Sequence, residues 1–230
     1  MAIIANNAQE VRRRIELACA AAGRPVQSVT LLAVSKTFGA DAVREAHAAG
    51  LHCFGENYVQ EALDKIATLA DLRPHIEWHL IGPLQSNKTG VVAQQFDWVH
   101  SVDRLKIAQR LSAQRPPGLP PLNLCLQVNV SGEASKSGVG PAELPALAEA
   151  VAALPAARVR LAGLMSIPEP SADAAAQRAA HRRLRELRDD LQARGLALGT
   201  LSMGMSGDLE AAVAEGSTLV RVGTAIFGAR

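Results

Sequence analysis

Strand-like and helix-like segments alternate along the whole chain, and this alternation is what most limits the possible folds. Short apolar or β-branched runs bounded by turn residues predict strands, and amphipathic segments between them predict helices. Eight strands are predicted in this way, over residues 28–36, 51–54, 75–81, 98–102, 122–130, 159–167, 198–203 and 218–222. Because consecutive parallel strands need a crossover helix, the repeated strand–helix unit predicts a parallel sheet covered by helices.

The fifth predicted strand bears on whether that sheet is open or closed. One of its faces is aliphatic and consists of Leu122, Leu124, Leu126, Val128 and Val130. The other face is largely polar and consists of Asn123, Cys125, Gln127 and Asn129. Strands of open doubly wound sheets are usually apolar on both faces, whereas the inner face of a barrel strand can be polar near a site. An open Rossmann-type sheet is the alternative, but no Gly-x-Gly-x-x-Gly follows the first strand. The α/β pattern therefore predicts one (β/α)8 TIM barrel over residues 1–230.

Length, charge and cysteine usage exclude several classes of protein. A chain of 230 residues is normal for one α/β barrel, and the formal charge of +2 gives no electrostatic footprint for nucleic acid. Cys19, Cys53 and Cys125 include no Cys-x-x-Cys pair, so we expect reduced core thiols and a cytoplasmic protein. The N-terminus lacks an apolar signal region, and no run is long enough to span a bilayer.

The first predicted strand carries a lysine in line with core residues. Counting by twos, Thr30, Leu32, Val34 and Lys36 share one face. An ammonium at the mouth of an apolar wall is partly desolvated, which favours the neutral, nucleophilic amine of a Schiff-base lysine. The alternative is a lysine that ends a strand and extends into water. The chain has five lysines, so few other residues could do this chemistry: Lys36, Lys65, Lys88, Lys106 and Lys136.

Small residues and hydroxyls follow the seventh and eighth strands, in residues 202–207 and 221–225. In (β/α)8 barrels the loops after these two strands often bind phosphate. Glycines let the backbone approach an anion, and helix N-termini offer free N–H groups. Each segment alone is typical of an ordinary turn. Together, and opposite a lysine on the first strand, they favour a phosphorylated aldehyde bound as a Schiff base, namely pyridoxal 5'-phosphate.

Five segments of the chain carry a family resemblance: residues 33–37, 54–61, 78–88, 201–206 and 220–228. In these segments, which span nearly the whole chain in order, the sequence resembles the pyridoxal-phosphate homeostasis proteins, single-domain relatives of the alanine racemase N-terminal barrel. The resemblance implies that Lys36 forms an internal aldimine with the cofactor. It further implies that the phosphate is held by Ser206, Gly223 and Thr224, that Arg221 faces the pyridine nitrogen, and that Asn57 and His79 lie near the cofactor.

The strand pattern around Arg221 can be interpreted without the family. Leu219, Arg221 and Gly223 share a face, which places an inward arginine at the barrel mouth beside the phosphate loop. Arginine stays protonated, so its hydrogen bond would keep a pyridine nitrogen unprotonated and weaken the ring as an electron sink. A surface arginine or a phosphate-contacting arginine is the alternative.

Other polar residues give weaker signals. His75 and His79 are four apart, but on a strand that spacing is not that of a metal pair, and no metal site is expected. His79 could equally be a hydrogen-bonded histidine inside the barrel. Lys136 lies in a glycine- and serine-rich loop and could cover the site, although a solvated lysine fits as well, and Lys88 requires the same caution.

Two functions follow from this site, and a third is remote. The first is a protein that binds or delivers pyridoxal phosphate in vitamin B6 homeostasis, as a monomer that transiently contacts apoenzymes. The second is an amino-acid racemase, which in the related barrel uses a tyrosine from an additional C-terminal domain as second base. This chain ends at Arg230 and has one tyrosine, Tyr58. A two-base proton transfer needs groups on both faces of the substrate carbon, so no catalytic residue is expected. A Schiff-base aldolase lacks a nearby acid–base set.

Overall fold

A computed structural model describes residues 2–132 and 137–228 and shows a closed barrel. Eight parallel strands pair in chain order, and the last pairs with the first through Leu32 and Arg221 among others. Helices follow the strands, as in the predicted (β/α)8 barrel, which is thereby confirmed. The predicted loop residue Lys136 lies outside the described residues.

The strands are short and regular. They are β1 (Thr30–Val34), β2 (Cys53–Glu56), β3 (Glu77–Leu80), β4 (Trp98–Val102), β5 (Leu122–Gln127), β6 (Val159–Met165), β7 (Thr200–Ser202) and β8 (Leu219–Val222). The α-helices of the described residues are α1 (Ala2–Ala21), α2 (Ala40–Ala48), α3 (Val59–Thr68), α4 (Thr89–Gln95), α5 (Leu105–Gln114), α6 (Leu144–Ala152), α7 (Ala174–Ala193), α8 (Leu209–Ala214) and α9 (Thr224–Phe227). None of these helices combines the length and hydropathy needed to cross a membrane.

Several strands end earlier than the sequence predicts. β5 ends at Gln127 and β7 at Ser202, yet the apolar residues that follow them, Val128 and Met203, are buried in the core. An apolar run therefore marks burial and not the extent of the strand. β1 likewise ends at Val34. The prediction that Lys36 lies on the strand is therefore wrong: Lys36 lies in a turn closed by a hydrogen bond from Phe38 N to Ser35 O (3.1 Å).

Two apolar layers are formed because side chains alternate across each strand. The outward residues of β3, Trp78 and Leu80, are buried in a large core between the sheet and the helices. The barrel interior holds a small apolar cluster of Leu32, Val34, Ile81 and Leu219, with Cys53 packed against it. The interior also holds buried polar side chains, His79, His100, Ser202 and Arg221, which places hydrogen-bonding groups under the mouth of the barrel.

Candidate functional site

A cavity of about 310 Å³ opens at the carboxyl ends of the strands. Residues that follow β1, β2, β3, β6, β7 and β8 converge on it. Its lining among the described residues is Val34, Lys36, Phe38, Asn57, Ile81, Ile167, Met205, Ser206, Gly207, Arg221, Gly223, Thr224 and Gly228. Six of the seven predicted site residues are thus brought together.

Lys36 lies half-buried in the turn after β1, next to a residue with unusual backbone geometry. Thr37 has a φ of 69°, in the left-handed region that β-branched residues rarely occupy. Its N–H donates to Glu61 Oε1 (2.5 Å), and its Oγ1 donates to the carbonyl of Lys36 (2.6 Å). Phe38 stacks on Phe227 with ring centroids 5.1 Å apart. These contacts hold the turn and direct Lys36 to the cavity.

A buried ion cluster supports this turn from the helix layer. Lys65 Nζ donates to Ser35 O (2.7 Å), Glu56 Oε1 (2.7 Å) and Glu61 Oε1 (2.6 Å), which uses all three donors of the ammonium. Ser35 Oγ also donates to Glu56 Oε1 (2.6 Å). Burial raises the pKa of Glu56, although hydrogen bonds from Lys65 and Ser35 act in the opposite direction. Glu61 joins the cluster to the Thr37 N–H, so the cluster fixes the backbone on both sides of Lys36.

Arg221 is buried at the bottom of the cavity and is held by two strands. Its guanidinium donates to the carbonyl and hydroxyl of Ser202 (2.5 and 2.8 Å) and to Ser166 O (2.8 Å). Within the described residues, two of the five N–H donors of the guanidinium remain for a ligand. Burial lowers the pKa of Arg221 to about 10, with part of the effect offset by the charge of Asp208. The side chain therefore stays cationic at neutral pH.

The loop between β7 and α8 forms one wall of the cavity. Gly204 has a φ of 96°, and a Cβ there would lie 2.5 Å from Ala212 Cβ, so the tight path requires glycine. Asp208 Oδ1 accepts from the Met205 N–H (2.6 Å), and Asp208 Oδ2 lies 2.9 Å from His181 Nε2. Burial alone would raise the pKa of Asp208, but these hydrogen bonds and the charge of Arg221 lower it.

The backbone of both loops is left available to an anion. The N–H groups of Ser206 and Gly207 have no acceptor in the described part of the chain. Thr224 begins α9, so its N–H has no acceptor within the helix. A Cβ on Gly223 would lie 3.1 Å from Val34 O, so glycine lets the end of β8 pack closely on β1. Free N–H groups on both loops suit a phosphate or a similar anion.

The remaining wall suits a flat ring with polar substituents. Ile81, Ile167 and Met205 provide apolar surface. Asn57 Oδ1 is buried, lines the cavity and has no partner among the described residues. A buried polar atom without a partner is costly, and a ligand donor would relieve that cost.

His79 is the one predicted site residue that the structure does not bring to the cavity. Ile81, two residues later on the same inward face, lines the cavity. His79 therefore points into the barrel interior below the cavity. His79 Nδ1 lies 2.9 Å from His100 Nε2, and His100 Nδ1 lies 2.8 Å from Ser202 Oγ, which also binds Arg221. His79 thus reaches the site through intermediaries. Lys88, in the short helix after β3, is not among the lining residues either.

The positioning residues of the site were missed by the sequence analysis. Ser166 and Ser202 orient Arg221, and Lys65 with Glu61 holds the turn at Lys36. Glu61 and Lys65 are four residues apart, which places them on one face of α3, and this spacing was a usable signal. No comparable signal exists for Ser166, because its role depends on where β8 lies in the closed barrel.

Comparison with known proteins identifies the family. Residues 5–230 match the family model described as "Alanine racemase, N-terminal domain". A Pseudomonas aeruginosa protein named pyridoxal phosphate homeostasis protein is 67% identical over 100% of this chain and 97% of its own length. A Vibrio cholerae protein of the same name is 54% identical over 100% of this chain and 98% of its own length.

A solved structure is also similar to this chain, in both sequence and fold. PipY of Synechococcus elongatus, in a structure described as having PLP bound, is 42% identical, with a TM-score of 0.84 over 98% of this chain and 100% of that chain. The identities and the coverage are well beyond what a shared fold alone gives. The chain therefore belongs to the alanine racemase N-terminal domain family and, within it, to the pyridoxal phosphate homeostasis proteins.

Proposed function

We propose that this protein binds pyridoxal 5'-phosphate as a Schiff base on Lys36 and acts in vitamin B6 homeostasis. One observation carries the proposal: a single cavity joins the Lys36 amine, the free donors of Arg221 and two loops with free N–H groups. The names of the two bacterial relatives and the PLP-bound structure of PipY support it.

Each part of the cavity has a role in this proposal. Lys36 would hold the cofactor at its aldehyde carbon, through a carbon–nitrogen double bond whose formation releases water. The phosphate is held by Ser206, Gly223 and Thr224 through backbone N–H and hydroxyl groups. Asn57 presents Oδ1 to a polar substituent of the ring. His79 acts indirectly, through His100 and Ser202 on Arg221.

Arg221 sets the electronic character of the bound ring in this proposal. Its pKa of about 10 keeps it cationic at neutral pH, so that it would hold the pyridine nitrogen as a hydrogen-bond donor and leave that nitrogen unprotonated. An unprotonated pyridine withdraws electrons less strongly than the pyridinium that an aspartate partner maintains. The protein is then a carrier of the cofactor and not a catalyst that uses it.

Reductive trapping tests the covalent assignment. We expect purified protein that is loaded with pyridoxal phosphate to be yellow, and borohydride followed by peptide mass analysis to place the phosphopyridoxyl group on Lys36. Lys36→Ala should lose the label, whereas the matched surface variant Lys106→Ala should keep it. A label on Lys65, Lys88, Lys106 or Lys136 alone would show that the assignment is wrong.

The alternative function, amino-acid racemisation, is disfavoured by the titratable groups of the cavity. Among its described lining residues these are Lys36 and Arg221, and Arg221 is committed to the hydrogen bonds given above. Tyr58 is 57% exposed and is not among the lining residues. A missing general base typically removes a factor of about 10²–10⁴ in rate.

Isotope exchange distinguishes the two functions. Deuterium exchange at the α-carbon of L- and D-amino acids is measured, with Lys36→Ala as the blank. We expect the wild type to show no exchange above this blank at the rates typical of enzymes, about 1–10³ per second. Exchange or racemisation at such rates would establish the protein as an enzyme and overturn the carrier assignment.

The carrier proposal also includes how the cofactor leaves. The chain would act as a monomeric single domain in the cytoplasm and would release the cofactor during transient contact with apoenzymes. The cavity opens beside Ile167, an exposed apolar residue at its rim, which motivates such contact. Light scattering of the loaded protein should give the mass of one chain, and reactivation of an apoenzyme should be faster with loaded protein than with an equal concentration of free cofactor. A stable dimer, or no gain in rate, would contradict this part.

A further inference from the structure

A second cluster of reactive side chains lies at the opposite, amino-terminal end of the barrel. Cys53, Glu77 and His79 come from the neighbouring strands β2 and β3, and one ligand atom of each lies within 4.8 Å of the other two. Cys53 and Glu77 are the first residues of their strands, and His79 is the third residue of β3. None of the three lines the Lys36 cavity. The function proposed above uses neither Cys53 nor Glu77.

Two of the ligand-atom distances in this cluster match those around a tetrahedral metal ion, and the third, between Cys53 Sγ and His79 Nε2, is within 4.8 Å. Cys53 Sγ lies 3.5 Å from Glu77 Oε2, and His79 Nε2 lies 3.5 Å from the same oxygen. Zinc bonds of about 2.3 Å to sulfur and about 2.0–2.2 Å to nitrogen or oxygen place neighbouring tetrahedral ligand atoms about 3.3–3.6 Å apart. The set of one thiol, one imidazole and one carboxylate is a zinc-type set with one coordination position left open.

A buried nitrogen without a hydrogen bond gives a second indication of a ligand. The His79 side chain is 1% exposed, and its Nε2 has no hydrogen-bond partner among the described residues. Its other nitrogen, Nδ1, lies 2.9 Å from His100 Nε2. When Nδ1 carries the ring proton and donates it to His100, Nε2 presents a lone pair towards Cys53 and Glu77, as metal ligation requires.

The surrounding residues orient the three side chains as outer partners of a metal site do. Trp98 Nε1 donates to Glu77 Oε1 (2.5 Å), which leaves Oε2 free to face Cys53 and His79. The Trp98 ring stacks on His79, with centroids 5.3 Å apart and planes 6° from parallel. Glu77 is 43% exposed, and Glu77 and His79 line a cavity of about 280 Å³ through which an ion can enter.

We propose that Cys53, Glu77 and His79 form a zinc-binding site at the amino-terminal end of the barrel, with water in the fourth position. Cys53 is half-buried at the start of β2 and packs against the apolar cluster of the barrel interior, which shields its thiol from bulk solvent.

Metal titration of the untagged full-length protein tests the site. We expect one Zn²⁺ to bind per chain, and we expect Co²⁺ to give the visible bands of a tetrahedral ion together with a thiolate charge-transfer band. Trp98→Phe removes an outer partner of the site and should raise the Kd for Zn²⁺ by about 10–100-fold. Cys53→Ser removes a ligand, so it should raise the Kd by more than this and should abolish the charge-transfer band.

Matched variants make the result decisive. Cys19→Ser removes a buried thiol that lies on α1, in the core outside the barrel, and should leave Zn²⁺ binding unchanged. Circular dichroism will show whether Cys53→Ser folds. If it does not, Glu77→Gln replaces it as the test variant, because this side chain is partly exposed and its amide oxygen can still accept from Trp98. No Zn²⁺ binding by the wild type, or equal affinity and an unchanged cobalt spectrum in Cys53→Ser or Glu77→Gln, would overturn the proposal.

Discussion

The two ends of the barrel interior are built from the same alternation of side chains but carry opposite electrostatic character. At the carboxyl end, Lys36 and Arg221 converge with backbone N–H groups. At the amino-terminal end, a carboxylate, a thiol and an imidazole converge, from Glu77, Cys53 and His79. The first arrangement suits an anion and the second a cation.

The ends are joined by one line of hydrogen-bonded side chains. His79 contacts His100, His100 contacts Ser202, and Ser202 accepts from Arg221. Burial, together with the charge of Arg221, lowers the pKa of His100 well below its usual value, so the ring between the two ends is neutral. The barrel thus separates a cationic end from an anionic end with a neutral His100 ring that contacts both His79 and Ser202.

The largest expected effect comes from breaking the support of the carboxyl end. Lys65→Met leaves Glu56 buried without its cation, and loss of one partner of a buried ion pair costs about 3–5 kcal/mol. We expect urea unfolding to show a loss of this size and reductive labelling of Lys36 to fall, because the turn loses its anchor.

Two variants control this experiment. Lys106→Met, at an exposed position, should change the free energy of unfolding by no more than about 0.5 kcal/mol. The double variant Lys65→Met with Glu56→Gln should recover part of the loss, because a neutral amide then replaces the fully buried carboxylate at position 56. Equal stability of Lys65→Met and Lys106→Met would contradict the structural role of the cluster.

An intermediate effect is expected at the anion-binding loops. Ser206→Ala combined with Thr224→Ala should weaken binding of pyridoxal phosphate more than binding of pyridoxal, by about 1.5–3 kcal/mol for each charge-assisted hydrogen bond lost. The backbone N–H groups remain, so binding is weakened and not abolished. Equilibrium dialysis of both ligands gives the comparison. If both lose affinity equally, the phosphate binds elsewhere.

The smallest effect concerns the residue that shapes the β7–α8 loop. Asp208→Asn keeps an acceptor for the Met205 N–H but loses the carboxylate that faces His181, at a cost of about 1–2 kcal/mol. The folded protein lowers the pKa of Asp208, so its contribution is present above the unfolded value of about 3.9 and disappears as the pH falls through the folded value.

The pH dependence supplies the check on this variant. The difference in unfolding free energy between wild type and Asp208→Asn should shrink as the pH falls from about pH 5 towards pH 3. A difference that grows as the pH falls would show that the carboxylate does not stabilise the loop.

The fold and the position of the carboxyl-end site could be predicted from sequence because their signals are local, whereas the roles of Asn57, Ser206 and Thr224 were expected from the family resemblance. Period-two alternation identified Leu32 and Val34 as one inner face, and glycine with hydroxyls marked the two loops after β7 and β8. Lys36 was assigned to the strand because the alternation continues through it. The turn that actually carries it depends on Glu61 and Lys65 of α3, which no local pattern connects to β1.

The amino-terminal cluster shows the limit of such reasoning. Spacing along one strand gave no metal pair for His75 and His79, and Cys53 was interpreted as a core residue. Cys53 and Glu77 are 24 residues apart, and they meet because β2 pairs with β3 in the register that places Cys53 opposite Glu77. A shift of one residue would turn every inward side chain of β3 outwards.

The sequence by itself determined the alternation of strands and helices, the closed parallel barrel, the apolar faces and the lysine and small-residue loops at its mouth. Each of these follows from the order and spacing of neighbouring residues. Only the tertiary structure decided that Asn57 reaches the cavity while His79 lies a layer below, that Ser166 and Ser202 hold Arg221, and that Lys65 supports Lys36. These contacts depend on barrel closure and strand register, which bring together residues that are distant in the chain.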